Sequence, residues 1–292
     1  MTTGLINNWY PPTRENYDLI LSLWKWFPAA ASLQWAISWY GMGKTSVTSR
    51  LNLPGRIGWM TMEAPGFLTL LYTMTTLPGQ AGITDLPWQN KVLAALFVIH
   101  YSYRAILFPL IQPSMSPLHV VVWAAGLGFQ VVNGCMIGSW LAAYGPTTPA
   151  AWAAQLPLGT LQFTAGITLF YFGLAANYYH DDELREIRRR EAARQARLAR
   201  DNGTSVKSVE KHYEIPQAGL FKIMLYPHYF VEWVEWCGFW LAAGLGCAPA
   251  RCFVVNEVAA MLPRAVAGKK WYVERFGAEK IKNKWAVIPG VW

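Results

Sequence analysis

Seven apolar runs dominate the chain, at roughly 17–42, 57–77, 91–111, 118–144, 150–178, 222–246 and 250–268. A helix crosses the hydrocarbon core of a bilayer with about 20 residues, and in lipid the backbone must satisfy its own hydrogen bonds. The runs therefore predict an all-α polytopic membrane protein, a seven-transmembrane helix bundle forming one membrane-embedded domain over residues 1–292. A short N-terminal segment (1–16), a polar basic loop at 180–217 and a polar tail at 269–292 complete it. Only 14% of the 292 residues are charged, against roughly 25% in soluble domains. The 16 Trp and 14 Tyr suit aromatic belts at two membrane interfaces.

Positive charge fixes an expected orientation. The 43–56 connector carries Lys44, Arg50 and Arg56, the 180–217 loop nine Lys and Arg, and the tail six more. The connectors at 78–90 and 145–149 carry none. By the positive-inside rule the loop and tail are cytosolic, and the N-terminus lies outside or in a lumen. The net charge of +8 sits in these segments, with no basic recognition helix or aromatic–basic sheet, so nucleic acid is excluded as a partner. The start, Met-Thr-Thr-Gly, has no basic region, and the first apolar run is long and late for a cleaved signal peptide. Cys135, Cys237, Cys247 and Cys252 form no CxxC and have no histidine at ligand spacing, so they read as reduced packing residues with no metal.

Two motifs lead nowhere. Asn202-Gly203-Thr204 is a formal glycosylation triplet in a segment expected to be cytosolic. Gly41-Met42-Gly43-Lys44-Thr45 lacks the first glycine of a phosphate-binding loop, Ser38 standing there, and follows no strand.

Polar side chains inside the runs carry the functional signal, because such groups are costly in lipid and face a protein interior or aqueous cavity. Glu63, His100, Tyr101, Arg104 and Asn177 recur across several spans. Glu63, near the start of the second, is either close enough to the interface to reach water or a carboxyl that burial keeps protonated and able to donate. His100, Tyr101 and Arg104 fall at helical spacing that allows one side. Asn177, Asp181, Arg185 and Arg188 cover about an 80° arc at 100° per residue, one face of a helix leaving the membrane. That mixed face suits a phosphorylated, ribose-bearing cofactor, with arginine forks on phosphates; from Arg188-Arg189-Arg190 onward a solvated, self-paired face is the stronger reading. Glu232 and Glu235 stand among aromatics and need donors inside the protein. Asn256, Glu257 and Arg264 interrupt the last run.

In this order the segments resemble the steroid 5α-reductase family of membrane NADPH-dependent reductases, over roughly residues 50–292. The resemblance rests on Trp59-x3-Glu63-x-Pro65, His100-Tyr101-x2-Arg104 and Asn177-x3-Asp181. It rests equally on Ile215-Pro216-Gln217-x-Gly219-Leu220-Phe221, Tyr229-Phe230-x-Glu232-x2-Glu235-Trp236, and Arg264-x7-Tyr272 running on to Ile288-Pro289. The resemblance implies a monomeric seven-helix bundle in the endoplasmic reticulum membrane, or in the inner membrane if the source is a bacterium, that takes a flat apolar enone from the bilayer lipid and NADPH from the cytosol. Hydride would go to the β-carbon of a 3-oxo-Δ4-steroid, with Glu63 and Tyr101 holding the carbonyl oxygen as the charge of an enolate develops there. Asn177, Asp181, Arg185, Arg188 and Tyr213 match positions that hold the cofactor, as do Glu232, Arg264 and Tyr272; His228 and Arg104 belong to the same segments. No GxGxxG occurs, so helix side chains must bind the nucleotide.

Departures from the pattern point to a divergent branch. Met62 stands where steroid-reducing members often carry Gln, His228 replaces a common Asn, and Ala267-Gly268-Lys269-Lys270 stands where animal members have histidines. Glu214 occupies a site often basic. A polyprenal or a long-chain enoyl thioester remains open as substrate, the latter weakened because only about 16 residues precede the first run. A membrane methyltransferase would leave Glu63 and Tyr101 without a role, and a transporter would not explain this order of motifs.

Overall fold

The first apolar run does not form one long helix. In the computed structural model, which describes residues 4–37, 40–46, 48–202 and 212–291, α1 (Arg14–Trp24) is capped by the Thr13 hydroxyl and stops at Lys25. A second short helix, α2 (Phe27–Ala31), then runs into a 3₁₀ turn at Ser32–Trp35. Pro28 explains the break, since it has no N–H to give the ladder and its ring crowds the carbonyl one turn earlier. The run at 17–42 is therefore a broken segment and not one continuous helix. Ser38, Gly203 and Thr204, on which the two motif readings rest, lie outside the described residues, as do Lys207 and Lys211 of the basic loop.

The later runs form helices close to their expected places, and 73% of the structure is helical. α3 (Gly55–Gln80) accommodates Pro65 and Pro78. α4 (Trp88–Tyr101) passes through a π-helical stretch, Ser102–Leu107, into α5 (Phe108–Ile111). Two-residue strands β1 (Asn52–Leu53) and β2 (Leu118–His119) pair antiparallel ahead of α6 (Val120–Ser139), which ends in a second π-helical stretch at Trp140–Tyr144. α7 (Pro149–Gln155) is a separate short helix, so the run read at 150–178 divides at Leu156–Leu158. α8 (Gly159–Asp201) then runs for 43 residues, through the first half of the segment read as a loop. Its Arg, Glu and Ala are strong helix formers, and Arg194 bonds Glu191 at i,i+3. α9 (Pro227–Ala243), α10 (Ala248–Phe276) and α11 (Ala278–Ile281) follow.

Three of these stretches are long and apolar enough to cross a membrane: Trp88–Ile111, Val120–Tyr144 and Gly159–Asp201, with mean hydropathies of 1.5, 1.7 and 1.2. α3 and α10 are long enough, but inward-facing polar residues such as Glu63, Asn256, Glu257 and Arg264 dilute their hydropathy. The surface supports the membrane reading, since Leu68, Leu71, Leu107, Leu110, Leu161 and Phe172 point outward.

α8 and α9 pack at backbone distance. A Cβ at Gly173 would fall 2.5 Å from the Glu235 backbone nitrogen, and Gly238 meets Phe170 from the other side. Glu235 is thereby pressed into the interior, wholly buried. Beside this seam Phe97, Trp236, Phe253 and Phe170 form the main core. A second core of Tyr226, Tyr229, Tyr272 and Val287 lies where the tail returns. The tail is locked there by Leu225 N–H to the Trp285 carbonyl (2.9 Å) and Tyr226 N–H to the Ala286 carbonyl (2.9 Å). Lys284 donates to the Phe221 carbonyl and to Gln217 Oε1 (3.1 Å). The 215–221 and 285–289 segments are thus one structure.

Candidate active site

Glu63 stands on α3 with 7% of its surface exposed, and its Oε2 accepts a hydrogen bond from the Gln130 amide of α6. Tyr101, 2% exposed at the end of α4, has its hydroxyl beside the same glutamine. α3, α4 and α6 therefore bring an acid, a phenol and an amide together in an interior otherwise walled by Phe97, Trp236 and Phe253. A carboxyl that accepts from an amide on one oxygen keeps its other oxygen free to donate. The pair can give two hydrogen bonds to one oxygen atom of a bound molecule.

The π-helical stretch that follows Tyr101 sets the next layer. Such widened turns recur at functional sites because they re-aim the side chains they carry. Arg104 is buried there, with Nη1 3.4 Å from Asp181 Oδ2 and Nη2 3.7 Å from Glu232 Oε2. Its guanidinium lies over the Trp59 and Phe108 rings, 5.0 and 4.9 Å from their centroids. His100, one turn earlier, places Nδ1 2.8 Å from Glu235 Oε1 and Nε2 3.8 Å from Glu232 Oε1. His100 and Arg104 thus share one side of the chain, as their spacing predicts, and both meet Glu232.

The polar face of α8 meets this layer. Asn177 Nδ2 donates to the His228 carbonyl (3.1 Å) and to Glu232 Oε2 (3.2 Å). Arg185, fully buried, donates to Asp182 (3.0 Å) and to the Tyr103 hydroxyl (3.3 Å), which itself faces Asp181. Arg188 reaches the Ser114 carbonyl at 3.0 Å on the exposed rim. Arg264 on α10 lies over Tyr40 and Tyr229, 4.4 and 5.6 Å from their centroids. Tyr213 packs edge-on against Trp271 at 4.9 Å, and Tyr272 stacks on Phe276.

Three contributors escaped the sequence reading. Gln130 is a polar residue in a strongly apolar run, the criterion that picks out Asn177, and applying it throughout finds Gln130 as well. Tyr103 lies inside the quoted His100–Arg104 stretch. Lys44 is the lysine of the rejected loop motif. Its ammonium donates to the Tyr272 hydroxyl (2.6 Å) and lies among the rings of Tyr226 (5.1 Å), Trp271 (5.5 Å) and Tyr272 (3.9 Å). Enclosure by these rings, and then the nearby Arg188 guanidinium, bring its pKa down to about 7. Among the described residues it has no carboxylate at ion-pair distance.

The family model described as 3-oxo-5-alpha-steroid 4-dehydrogenase matches residues 116–292. This chain belongs to that family. The steroid dehydrogenase family comprises oxidoreductases that act on CH–CH bonds. Among relatives, the chain is 35% identical over 262 residues to the uncharacterized protein C9.08c of Schizosaccharomyces pombe, covering 85% of this chain and 89% of that one. It is 29% identical to 3-oxo-5-alpha-steroid 4-dehydrogenase 1 of Mus musculus, over 86% of each chain. It is 28% identical to steroid 5-alpha-reductase DET2 of Solanum lycopersicum, over 94% of this chain and 95% of the relative. Among the described residues no group of His, Cys, Asp and Glu is arranged to hold a metal ion.

Proposed function

We propose that this protein reduces the conjugated C=C of a lipophilic enone with NADPH, its substrate class being a 3-oxo-Δ4-steroid drawn from the bilayer. The observation that carries the reading is the buried Glu63–Gln130–Tyr101 group, whose carboxyl and phenol are both able to donate to a carbonyl oxygen. Bound NADPH would supply a hydride to the β-carbon of the enone. As the π-electrons shift toward the carbonyl, Glu63 and Tyr101 hold the oxygen that gains negative charge. Donors fixed in a dry interior stabilise that charge without reorganising, which favours the transition state over the ground state.

The polar face fits a dinucleotide. Asn177 Oδ1, Arg185 Nη2 and His228 Nδ1 are buried without hydrogen-bond partners. An orphaned buried group costs about 1–3 kcal/mol, so their exposure to a polar ligand gives them the partners they lack. In this reading Arg185, Arg188 and Lys44 face phosphates, Asn177 and Asp181 face ribose or amide, and Tyr213 and Tyr272 offer rings to a base. Arg104, Glu232 and Arg264 join this face to the carbonyl pocket, because Glu63 lies within electrostatic range of all three.

We read α3, α9, α10 and the broken first run as the crossings that complete a seven-pass, single-domain bundle. In it the basic end of α8 and the tail are cytosolic, and the setting is the endoplasmic reticulum membrane. A different lipid enone, a polyprenal or an enoyl thioester, is the second reading; Met62 beside the carboxyl favours it, since its thioether packs against Gly126 and offers the carbonyl no hydrogen bond.

Microsomes containing the chain, supplied with NADPH and progesterone, are expected to yield a product heavier by two hydrogens in mass spectrometry. Absence of product while NADPH still binds would move the substrate to another enone, and absence of NADPH binding would end the reductase reading.

Lys44 gives this reading a pH dependence. A phosphate stabilises the charged ammonium, so affinity for NADPH is full below pH about 7 and declines as the pH rises past it. Lys44→Arg, which stays charged, should abolish the decline. Lys44→Met should raise Kd about 10-fold at neutral pH. Titrations of intrinsic Trp fluorescence with NADPH across that range check both.

A further inference from the structure

Reduction of an enone consumes one proton per turnover in addition to the hydride, and Glu63 and Tyr101, at the proposed reacting end, are buried. Three features bear on where that proton comes from. Glu257 on α10 is 6% exposed, and its Oε2 has no hydrogen-bond partner. Phe253, one turn earlier, packs on Phe97, with ring centroids 6.3 Å apart. One turn on from these two rings stand Glu257 and Tyr101, within electrostatic range of each other. Glu257 is also within range of Glu63, Glu232 and Glu235, with Arg104 the cation that faces the group. Arg104 is already shared between Asp181 and Glu232. An unpaired buried carboxylate is prohibitive, so Glu257 enters the cycle as the neutral acid.

Glu235 in turn meets His100, whose two ring nitrogens face two different carboxyls, Glu235 and Glu232. Glu235 Oε2 is a second buried oxygen without a partner. An imidazole between two acids can take a proton on one nitrogen and release one from the other. Glu232 in turn contacts Asn177 and Arg104, the side from which α8 leaves the bundle.

We propose that Glu257 is the acid that protonates the α-carbon, recharged through Glu235 and His100; this rests on the enone-reductase reading. Hydride addition to the β-carbon places the π-electron pair on the carbonyl oxygen as an enolate. The enolate then re-forms its C=O, and the α-carbon bonds the carboxyl proton of Glu257, leaving a carboxylate. That carboxylate regains a proton from Glu235, which draws one across His100 from Glu232 and the cytosolic side. One hydride and one proton enter, and a saturated ketone leaves.

The test compares wild type with Glu257→Gln and Glu257→Asp in lipid nanodiscs, using a 3-oxo-Δ4-steroid and NADPH or its 4-deuterated form, in H₂O and D₂O. Glu257→Gln is expected to lower kcat about 100-fold while NADPH Kd stays within about twofold. Its hydride isotope effect should fall toward unity and its solvent isotope effect should rise, because protonation has become limiting. Glu257→Asp should recover part of the rate, which a defect of folding would not allow. A Glu257→Gln enzyme as fast as wild type overturns the proposal. So does a slow one whose hydride isotope effect is unchanged, the pattern of a structural role. Wild type that binds NADPH but reduces no enone would instead remove the reading on which the proposal stands.

Discussion

Glu63→Gln is expected to lower kcat for enone reduction about 100- to 1000-fold, the range for removing one preorganised donor from a site where oxyanion charge develops. The substitution keeps shape, and the new amide oxygen can still accept from Gln130. What it removes is the carboxyl proton, so packing and NADPH affinity should hold while chemistry slows. KM for the enone should change little, because the lost interaction is strongest with the developing enolate. Tyr101→Phe should act in the same sense, since its hydroxyl shares the pocket and its ring remains packed against Phe97 at 4.7 Å. The double variant should lose less than the product of the two single losses, because groups that stabilise one charge act as a unit. Single-turnover rates of NADPH oxidation at saturating enone make the comparison directly. A Glu63→Gln enzyme retaining a third or more of the wild-type rate would remove Glu63 from catalysis.

Much of this arrangement is legible in the sequence because lipid makes polarity expensive. Asn177, Arg104 and Glu232 stand out in apolar runs for that reason, and the structure brings them together around one guanidinium. The periodicity of Asn177, Asp181, Arg185 and Arg188 also predicts one face, and α8 has it. What the sequence does not carry is proximity across chain distance. Lys44 meets Tyr272 across 228 residues, and rejecting the phosphate-loop motif, sound on its own terms, says nothing of where the lysine lands. The first run reads as a span because apolar composition is averaged over a window, whereas Pro28 acts at a single position. The basic segment after Asp181 reads as a loop because it is polar, yet Ala, Arg and Glu favour a helix whatever surrounds them. Gln130 is the instructive omission, because a neutral amide costs less to bury than a charge and draws less notice, although it contacts the acid itself.

Arg104 has the largest expected effect on folding. It is buried between Asp181 and Glu232, and removing one member of a buried ion network costs about 3–5 kcal/mol because the partners are left as uncompensated charges. Arg104→Met keeps an aliphatic stem of similar length and deletes the guanidinium, with its charge and its place over the Trp59 and Phe108 rings. Asp181 then keeps only Tyr103 (3.5 Å) and the more distant Arg185, and Glu232 keeps Asn177 (3.2 Å) and His100 (3.8 Å). The variant should melt about 5–10 °C lower in detergent and bind NADPH weakly, because Asp181 and Glu232, on the face proposed for the cofactor, lose the partner they share. Arg104→Lys should recover little, since an ammonium cannot reach two carboxylates in one plane as the guanidinium fork does. Adding Asp181→Asn to Arg104→Met should restore part of the melting temperature without restoring NADPH binding, separating the cost of a stranded charge from the loss of the proposed cofactor face. If Arg104→Met melts with wild type and still binds NADPH, the network is neither structural nor part of the cofactor site.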